Sequence, residues 1–341
     1  MSIGSRLDGE LAAVVADHRH VREHVRGIVE DGGSVPTYVD EPREEHATSN
    51  PNVLFPADPP IYVHVRGAPG EDTVYHCLEP TLGGGDDVLY EQVRAEVLDR
   101  SATRPAPTTD EEFTAHLDDL LDEILVVDEG GGSLLNRVRS SVLGDQFVVD
   151  RATYERIQYV LQRDIVGLGP LEPVMADPEN EDIHVIGPHG CYVEHGVFGM
   201  VETTVDFGSV DEFSNWIRNM GERMDSPVSD SDPIVDSTLP NGSRINIIYS
   251  DDVSIKGPSL TIRQGEDVPL SIFQITKWGT LSPELAAYLW LCMENEQTVF
   301  VVGETASGKT TTLNSTFSFI PRDHKIYTAE DTAEVNPPHD T

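Results

Sequence analysis

Apolar positions along this chain change their spacing several times, and each change marks a new segment. From Leu11 to about Ile28 they recur at helical spacing. The run DEPREEHATSNPN that follows is polar and turn-rich and reads as a flexible connection. IYVHVRG and VYHCLEP alternate as strands do, with GAPGED between them as a hairpin loop. VLYEQVRAEVLDRS and the stretch from Phe113 to Leu125 return to helical spacing, joined by SATRPAPTTDEE. Past Asp150, RATYERIQYVLQRDIVG predicts an amphipathic helix stopped at Gly167. The segment EDIHVIGPHGCYVEHGVFGMVETTVDF holds three short β runs split by glycine turns, which suits an antiparallel meander with one wet face. Phe213, Trp216, Ile217, Met220 and Met224 then form one stripe of a helix that faces a core, and SRINIIYS and SLTIRQ add two strands before Gly265.

From about Ser271 the pattern shifts again. SPELAAYLWLCMENE predicts a helix with Ser282 as N-cap and Pro283 in its first turn. QTVFVV is apolar throughout, as a strand buried in a parallel sheet would be, and it leads through a glycine loop into the helix TTTLNSTFSFI and a strand KIYTAED. This β–loop–α–β order opens a RecA-like, doubly wound domain. The expected fold class is therefore α/β: α+β N-terminal domains followed by a C-terminally truncated RecA-like P-loop NTPase domain. The expected segments are an acidic, partly disordered stretch over residues 1–60, a small α+β domain with linkers over 61–145, an α+β domain over 146–266 and the RecA-like start over 267–341.

Charge narrows the function classes. Sixty acidic against 23 basic residues give a net charge of −37, and only Lys256, Lys277, Lys309 and Lys325 are lysines. Such a surface repels nucleic acid, so no nucleic-acid partner is expected. Self-repulsion of this size needs screening, which points to a cytoplasm with molar salt and a haloarchaeal type of source. Cys77, Cys191 and Cys292 are too scattered for a disulfide framework or a CxxC metal site. With no signal-peptide pattern and no apolar run long enough to span a bilayer, a cytoplasmic protein is expected.

One motif carries chemistry directly. Gly303, Glu304, Thr305, Ala306, Ser307, Gly308, Lys309 and Thr310 fit GxxxxGK[ST], with Thr311 following. Glycines let successive backbone N–H groups turn inward on an anion, and the helix that starts there adds its positive end. Lys309 would reach the β and γ phosphates of ATP and the Thr310 hydroxyl would ligate Mg²⁺. Glu330 and Asp331 follow the next expected strand, where a carboxylate could orient an attacking water.

The loop GETASGKTT, the segment KIYTAEDTAE, the upstream LPNGSRIN and LTIRQ, and the block IVGLGPLEPVMADPENEDIHVIGPHGCYVEH together resemble the type II/IV secretion ATPase superfamily, and in particular its archaeal archaellum and type IV pilus branch. Even PIYVHVRG with YHCLEPTL resembles that branch's N-terminal domain. The resemblance implies a homo-hexameric motor that hydrolyses ATP at subunit interfaces, attached to the inner face of the membrane through a polytopic platform protein. It implies that Glu330 belongs to an Asp box that activates water, and that Arg244 and Arg263 reach phosphate across an interface. A guanidinium suits that task because it meets phosphate oxygens bidentately. The family's Walker B strand and His box would follow, so the chain reads as truncated after the Asp box, and a nucleotide-binding remnant or split-gene product without turnover is the alternative.

Other features read as structural. ILVVDE, from Ile124 to Glu129, looks like a Walker B strand but continues a helical stripe and is taken as a helix end. His184, His189, Cys191 and His195 fall on alternating faces of a meander, which argues against a shared metal. The runs GGGDD and EGGGS carry acids and no lysine and read as linkers.

Overall fold

The computed structural model describes residues 9–83, 85–105, 107, 109–128, 146–249, 257–264, 270–304, 307–321, 323–330 and 335. The chain begins with helices α1 (Gly9–Asp17) and α2 (Arg19–Glu30) where one helix is expected. The break is at His18, whose backbone is extended. Its ring lies 4.8 Å from that of Tyr62, and Arg22 closes the end of α1 by donating to Val15 O at 2.7 Å and to Ala16 O. Strands β1 (Thr37–Tyr38), β2 (Asn52–Asp58), β3 (Ile61–Arg66) and β4 (Val74–Leu78) follow. Residues 9–60 are thus more ordered than their polar composition suggests, because β2 pairs with β3 along its length.

Helices α3 (Asp86–Ser101) and α4 (Asp110–Ile124) lead into β5 (Leu125–Val127), which pairs in parallel with β6 (Phe147–Val149). Of ILVVDE, Ile124 alone ends the helix; Leu125–Val127 form a strand where a helix end is expected, because they pair with β6, and Glu129 lies outside the described residues. The EGGGS run lies outside the described residues, as does Gly84 of GGGDD. Helix α5 (Arg151–Ile165) is capped by Asp150, which accepts from Thr153 N at 2.7 Å. Helices α3, α4 and α5 pack with β5 and β6 around their own core, including Val93, Leu121, Ile157 and Leu161.

The short helix α6 (Glu172–Met175), strands β7 (Asn180–Ile186), β8 (Cys191–His195) and β9 (Gly199–Thr203), helix α7 (Val210–Arg223) and strands β10 (Ile234–Thr238), β11 (Arg244–Ile248) and β12 (Ser259–Arg263) complete the main module. Helix α7 starts at a capping box between Ser209 and Glu212. It buries Phe213, Ile217 and Met220, as the stripe predicts, while Trp216 is only half-buried and donates to Leu168 O at 3.2 Å.

All strands except β5 and β6 join one ten-stranded sheet, in the order β1-β2-β3-β4-β9-β8-β7-β12-β11-β10. Neighbours are antiparallel apart from β1–β2 and β4–β9. One face carries Phe55, Val63, Tyr75, Val193, Ile183, Ile262 and Ile245 into a single core with α6 and α7. The opposite face is covered by α1 and α2 over β2–β4, through Leu11, Val21, Val25, Leu54 and Tyr62. Over β7–β12 that face is partly exposed, so the meander has the wet side its alternation predicts. The fold is mixed α/β, as expected, but strands on both sides of residue 146 share the sheet.

The last segment holds α8 (Ile272–Lys277), α9 (Pro283–Glu294) and α10 (Lys309–Thr316) around a small core of Ile272, Ile275 and Phe319. Ser282 caps α9 by accepting from Leu285 N at 3.2 Å. The two strands expected here are not formed among the described residues. Among the described residues nothing pairs with QTVFVV or KIYTAED, and Phe300, Val302 and Tyr327 are 83%, 84% and 82% exposed. A parallel strand exists only through hydrogen bonds to its neighbours, so an apolar run without them stays irregular.

Candidate functional site

The glycine loop ends at Gly308, which adopts the left-handed conformation (φ 78°, ψ 23°) and caps the start of α10. Side chains disfavour that backbone, which accounts for glycine in the motif. Thr312 N donates to Gly308 O at 2.9 Å, so α10 begins directly at Lys309. At the other end of the loop, a Cβ built on Gly303 would collide with Ser307 Oγ, so the loop closes tightly on its first glycine. Glu304, Ser307 and Thr311 are exposed, and Thr310 is half-buried in the first turn of the helix. Thr305 and Ala306 lie outside the described residues.

Lys309 Nζ donates to Glu304 O, back across its own loop. Glu330 is exposed, and its carboxylate accepts from Val335 N at 3.0 Å. Asp331 lies outside the described residues. The loop thus offers an ammonium, the N-terminus of α10 and a hydroxyl within a few residues, a donor set suited to a polyphosphate and its divalent cation.

The two arginines are brought together by strand register. Arg244 on β11 is paired with Arg263 on β12, and Arg263 is paired in turn with Asp182 on β7. The same row continues through Glu194 on β8 to Met200 on β9 and, on the other side, to Thr238 on β10. All six lie on the sheet face opposite the core. Two like charges directly opposite would repel. Here the Asp182 carboxylate relieves that repulsion, because its oxygens accept from Arg263 Nε at 2.9 Å and from the terminal guanidinium nitrogen at 3.0 Å. The bidentate pair raises the already high pKa of Arg263 further, through hydrogen bonding and charge together. Asp182 is a partner that sequence reading does not find. It opens an alternating strand like many acids do, and its contact with Arg263 spans 81 positions.

The structure therefore unites Arg244 with Arg263, and Lys309 with Glu304, and bonds Arg263 and Lys309 each within its own neighbourhood. The four residues weighed as metal ligands are dispersed. His184 bonds Thr261 Oγ1 on the open face at 3.3 Å, and exposed His189 bonds Asp206 at 2.9 Å. Cys191 and His195 are buried in the core face, where burial pushes the Cys191 thiol up to about 11.

Residues 208–341 match the family model described as Type II/IV secretion system protein. The chain is 42% identical over 335 residues to the uncharacterized protein MJ0900 of Methanocaldococcus jannaschii, covering 97% of this chain and 61% of that one. Protein VirB11 of Agrobacterium tumefaciens is 26% identical over 199 residues, 51% of this chain and 57% of its own length. The chain thus spans less than two thirds of either relative. Among solved structures, the VirB11 ATPase of the Brucella suis type IV secretion system, in complex with sulphate, is similar at 24% identity over 46% of this chain and 55% of that one. The TM-score is 0.30, too low to bear on the placement of any residue.

Proposed function

The chain belongs to the type II/IV secretion ATPase superfamily, and from that premise we propose that it is an ATP-binding subunit of a secretion, type IV pilus or archaellum motor. The observation that carries this reading is the loop from Gly303 to Gly308, closed at one end by glycine packing and at the other by a left-handed glycine that starts α10. Its backbone N–H groups and the α10 N-terminus would hold the phosphates, with Lys309 on the β and γ oxygens. Thr310 fits Mg²⁺, which would neutralise phosphate charge when bound. In the working assembly, a homo-hexamer on a polytopic membrane platform, Arg244 and Arg263 would meet the nucleotide of an adjacent subunit and Glu330 would orient water. The protein would then sit at the cytoplasmic face of the membrane. No helix among the described residues is long and apolar enough to cross one.

A second reading is nucleotide binding without turnover by this chain alone. One experiment addresses both. Binding of a fluorescent ATP analogue with Mg²⁺ in molar KCl should weaken at least tenfold in Lys309→Ala, and equal binding by both proteins rejects the proposal. Phosphate release above the Lys309→Ala level then separates a motor subunit from a subunit that only binds.

A further inference from the structure

Five of the twelve histidines meet at one interface away from the nucleotide loop. His18, His20 and His24 come from the α1–α2 hairpin, and His64 and His76 are cross-strand partners on β3 and β4 beneath it. His24 Nε2 lies 2.8 Å from His64 Nδ1. His64 Nε2 lies 2.8 Å from Asn52 Oδ1. The Asn52 amide nitrogen donates to Val35 O at 3.0 Å, so its oxygen is the atom turned to His64. That order sets the protons: His64 carries its hydrogen on Nε2, its Nδ1 is a lone pair, and His24 donates to it. His76 completes the cluster, its ring centroid 5.7 Å from that of His64 in a stacked arrangement and 5.1 Å from that of His24. His20 Nε2 donates to Pro60 O at 2.9 Å, which ties the hairpin to the turn before β3.

His64 is fully buried and both its nitrogens are already engaged. An added proton at Nδ1 would break the bond from His24 and leave that N–H facing a donor instead of an acceptor. The charged groups around the cluster do not offset this. Arg66 on β3 acts on His24, His64 and His76, His76 acts on His24, and both of those act on His64. The nearby carboxylates serve the outer histidines instead: Asp17 of α1 and Glu155 of α5 act on His18, and Glu23 of α2 acts on His20. The apolar contact of the hairpin, Leu11, Val15, Val21 and Val25 on Leu54, Tyr62 and Leu78, is on the opposite side of the sheet from the main core. The hairpin can therefore leave without opening that core.

We propose that α1–α2 is a proton-released clasp, held on β2–β4 by neutral imidazoles and detached by acidification while β7–β12 remain folded. Detachment also removes one wall of the cavity of about 640 Å³ that Asp17, His18 and His20 form with Arg151 and Tyr159 of α5. Burial is the main reason the docked rings resist protonation, pushing His20 and His24 down to about 4 and His64 to about 2. A freed histidine returns to its ordinary value near 6.5. The hold is then complete above that value and is lost progressively as pH falls below it.

Hydrogen exchange of the full chain, read by mass spectrometry from pH 7.5 to 4.0 at one salt concentration and corrected for intrinsic rates, tests this. Amides of α1 and α2 should lose protection at least tenfold between pH 6.5 and 4.0 while β7, β8 and β12 keep theirs. His24→Gln retains a neutral donor and should move the midpoint to lower pH. If that hairpin is already open at pH 7.5, His76→Gln makes the same comparison. Loss of hairpin and meander at one midpoint, full hairpin protection at pH 4.0, or a midpoint unmoved in the informative variant would overturn the proposal.

Discussion

Removing one hydroxyl from the seam of the sheet should cost more than its size suggests. The parallel pairing of β4 with β9 is only two residues long, Val74 with Glu202 and Tyr75 with Thr203. Beneath it lies a polar knot inside the core. Tyr75 OH donates to Asp177 Oδ2 at 2.8 Å, Glu179 N donates to Asp177 Oδ1 at 3.1 Å, and Asn180 Nδ2 donates to Tyr75 OH at 3.2 Å. His195 Nε2 is 3.4 Å from the same Asp177 oxygen that Tyr75 serves. Val197 N donates to His195 Nδ1 at 3.0 Å, so the proton of a neutral ring is on Nε2, facing Asp177. Tyr75, Asp177, Asn180 and His195 are all at most 2% exposed. Burial and the Asp177 charge both raise the Tyr75 pKa, so it remains a donor at any working pH. In Tyr75→Phe a hydrogen bond to a charged group disappears, a loss of about 1.5–3 kcal/mol, and Asn180 loses an acceptor at about 1 kcal/mol more. We expect about 2.5–4 kcal/mol, measured by urea unfolding followed by tryptophan fluorescence. Tyr192→Phe on the open face removes the same atom and should stay within about 0.5 kcal/mol. A Tyr75→Phe loss no larger than that of Tyr192→Phe would show that this knot does not hold the seam.

Arg163 donates to Glu79 at 2.8 Å with both side chains largely buried, and Tyr159 donates to the same carboxyl at 2.7 Å. Arg163→Met should cost about 3 kcal/mol at pH 8. Burial already raises Glu79 above its ordinary value and Arg163 pulls it back, so the variant carboxyl should bind a proton at higher pH and the deficit should shrink toward pH 5. A deficit that grows on acidification contradicts this sign. Gly308→Ala forces a side chain into the left-handed region at a cost of about 1–2 kcal/mol, so it should weaken nucleotide binding while leaving the unfolding of the main sheet unchanged. Net charge of −37 predicts a melting temperature that rises between 0.1 M and 2 M KCl as the screening length falls from about 10 Å to below about 3 Å. A flat or falling melting curve would remove the argument from salt.

Much of this protein is determined locally and so can be read from its sequence. The α7 stripe, the cap at Ser282, and the alternation of β7, β8 and β9 depend on residues within a few positions of one another. The loop from Gly303 to Thr310 belongs to the same class, since its glycines, its lysine and the helix it starts are contiguous. Tertiary structure decided what depends on partners far along the chain. It placed β1 to β4 in one sheet with β7 to β12, brought Asp182 to Arg263 and set His64 and His76 against the histidines of one hairpin. QTVFVV shows the same division from the other side. Its apolar run reads as a strand, but a strand is a relation between neighbours, and side chains alone could not supply the hydrogen-bonding edge that none of the described residues offers.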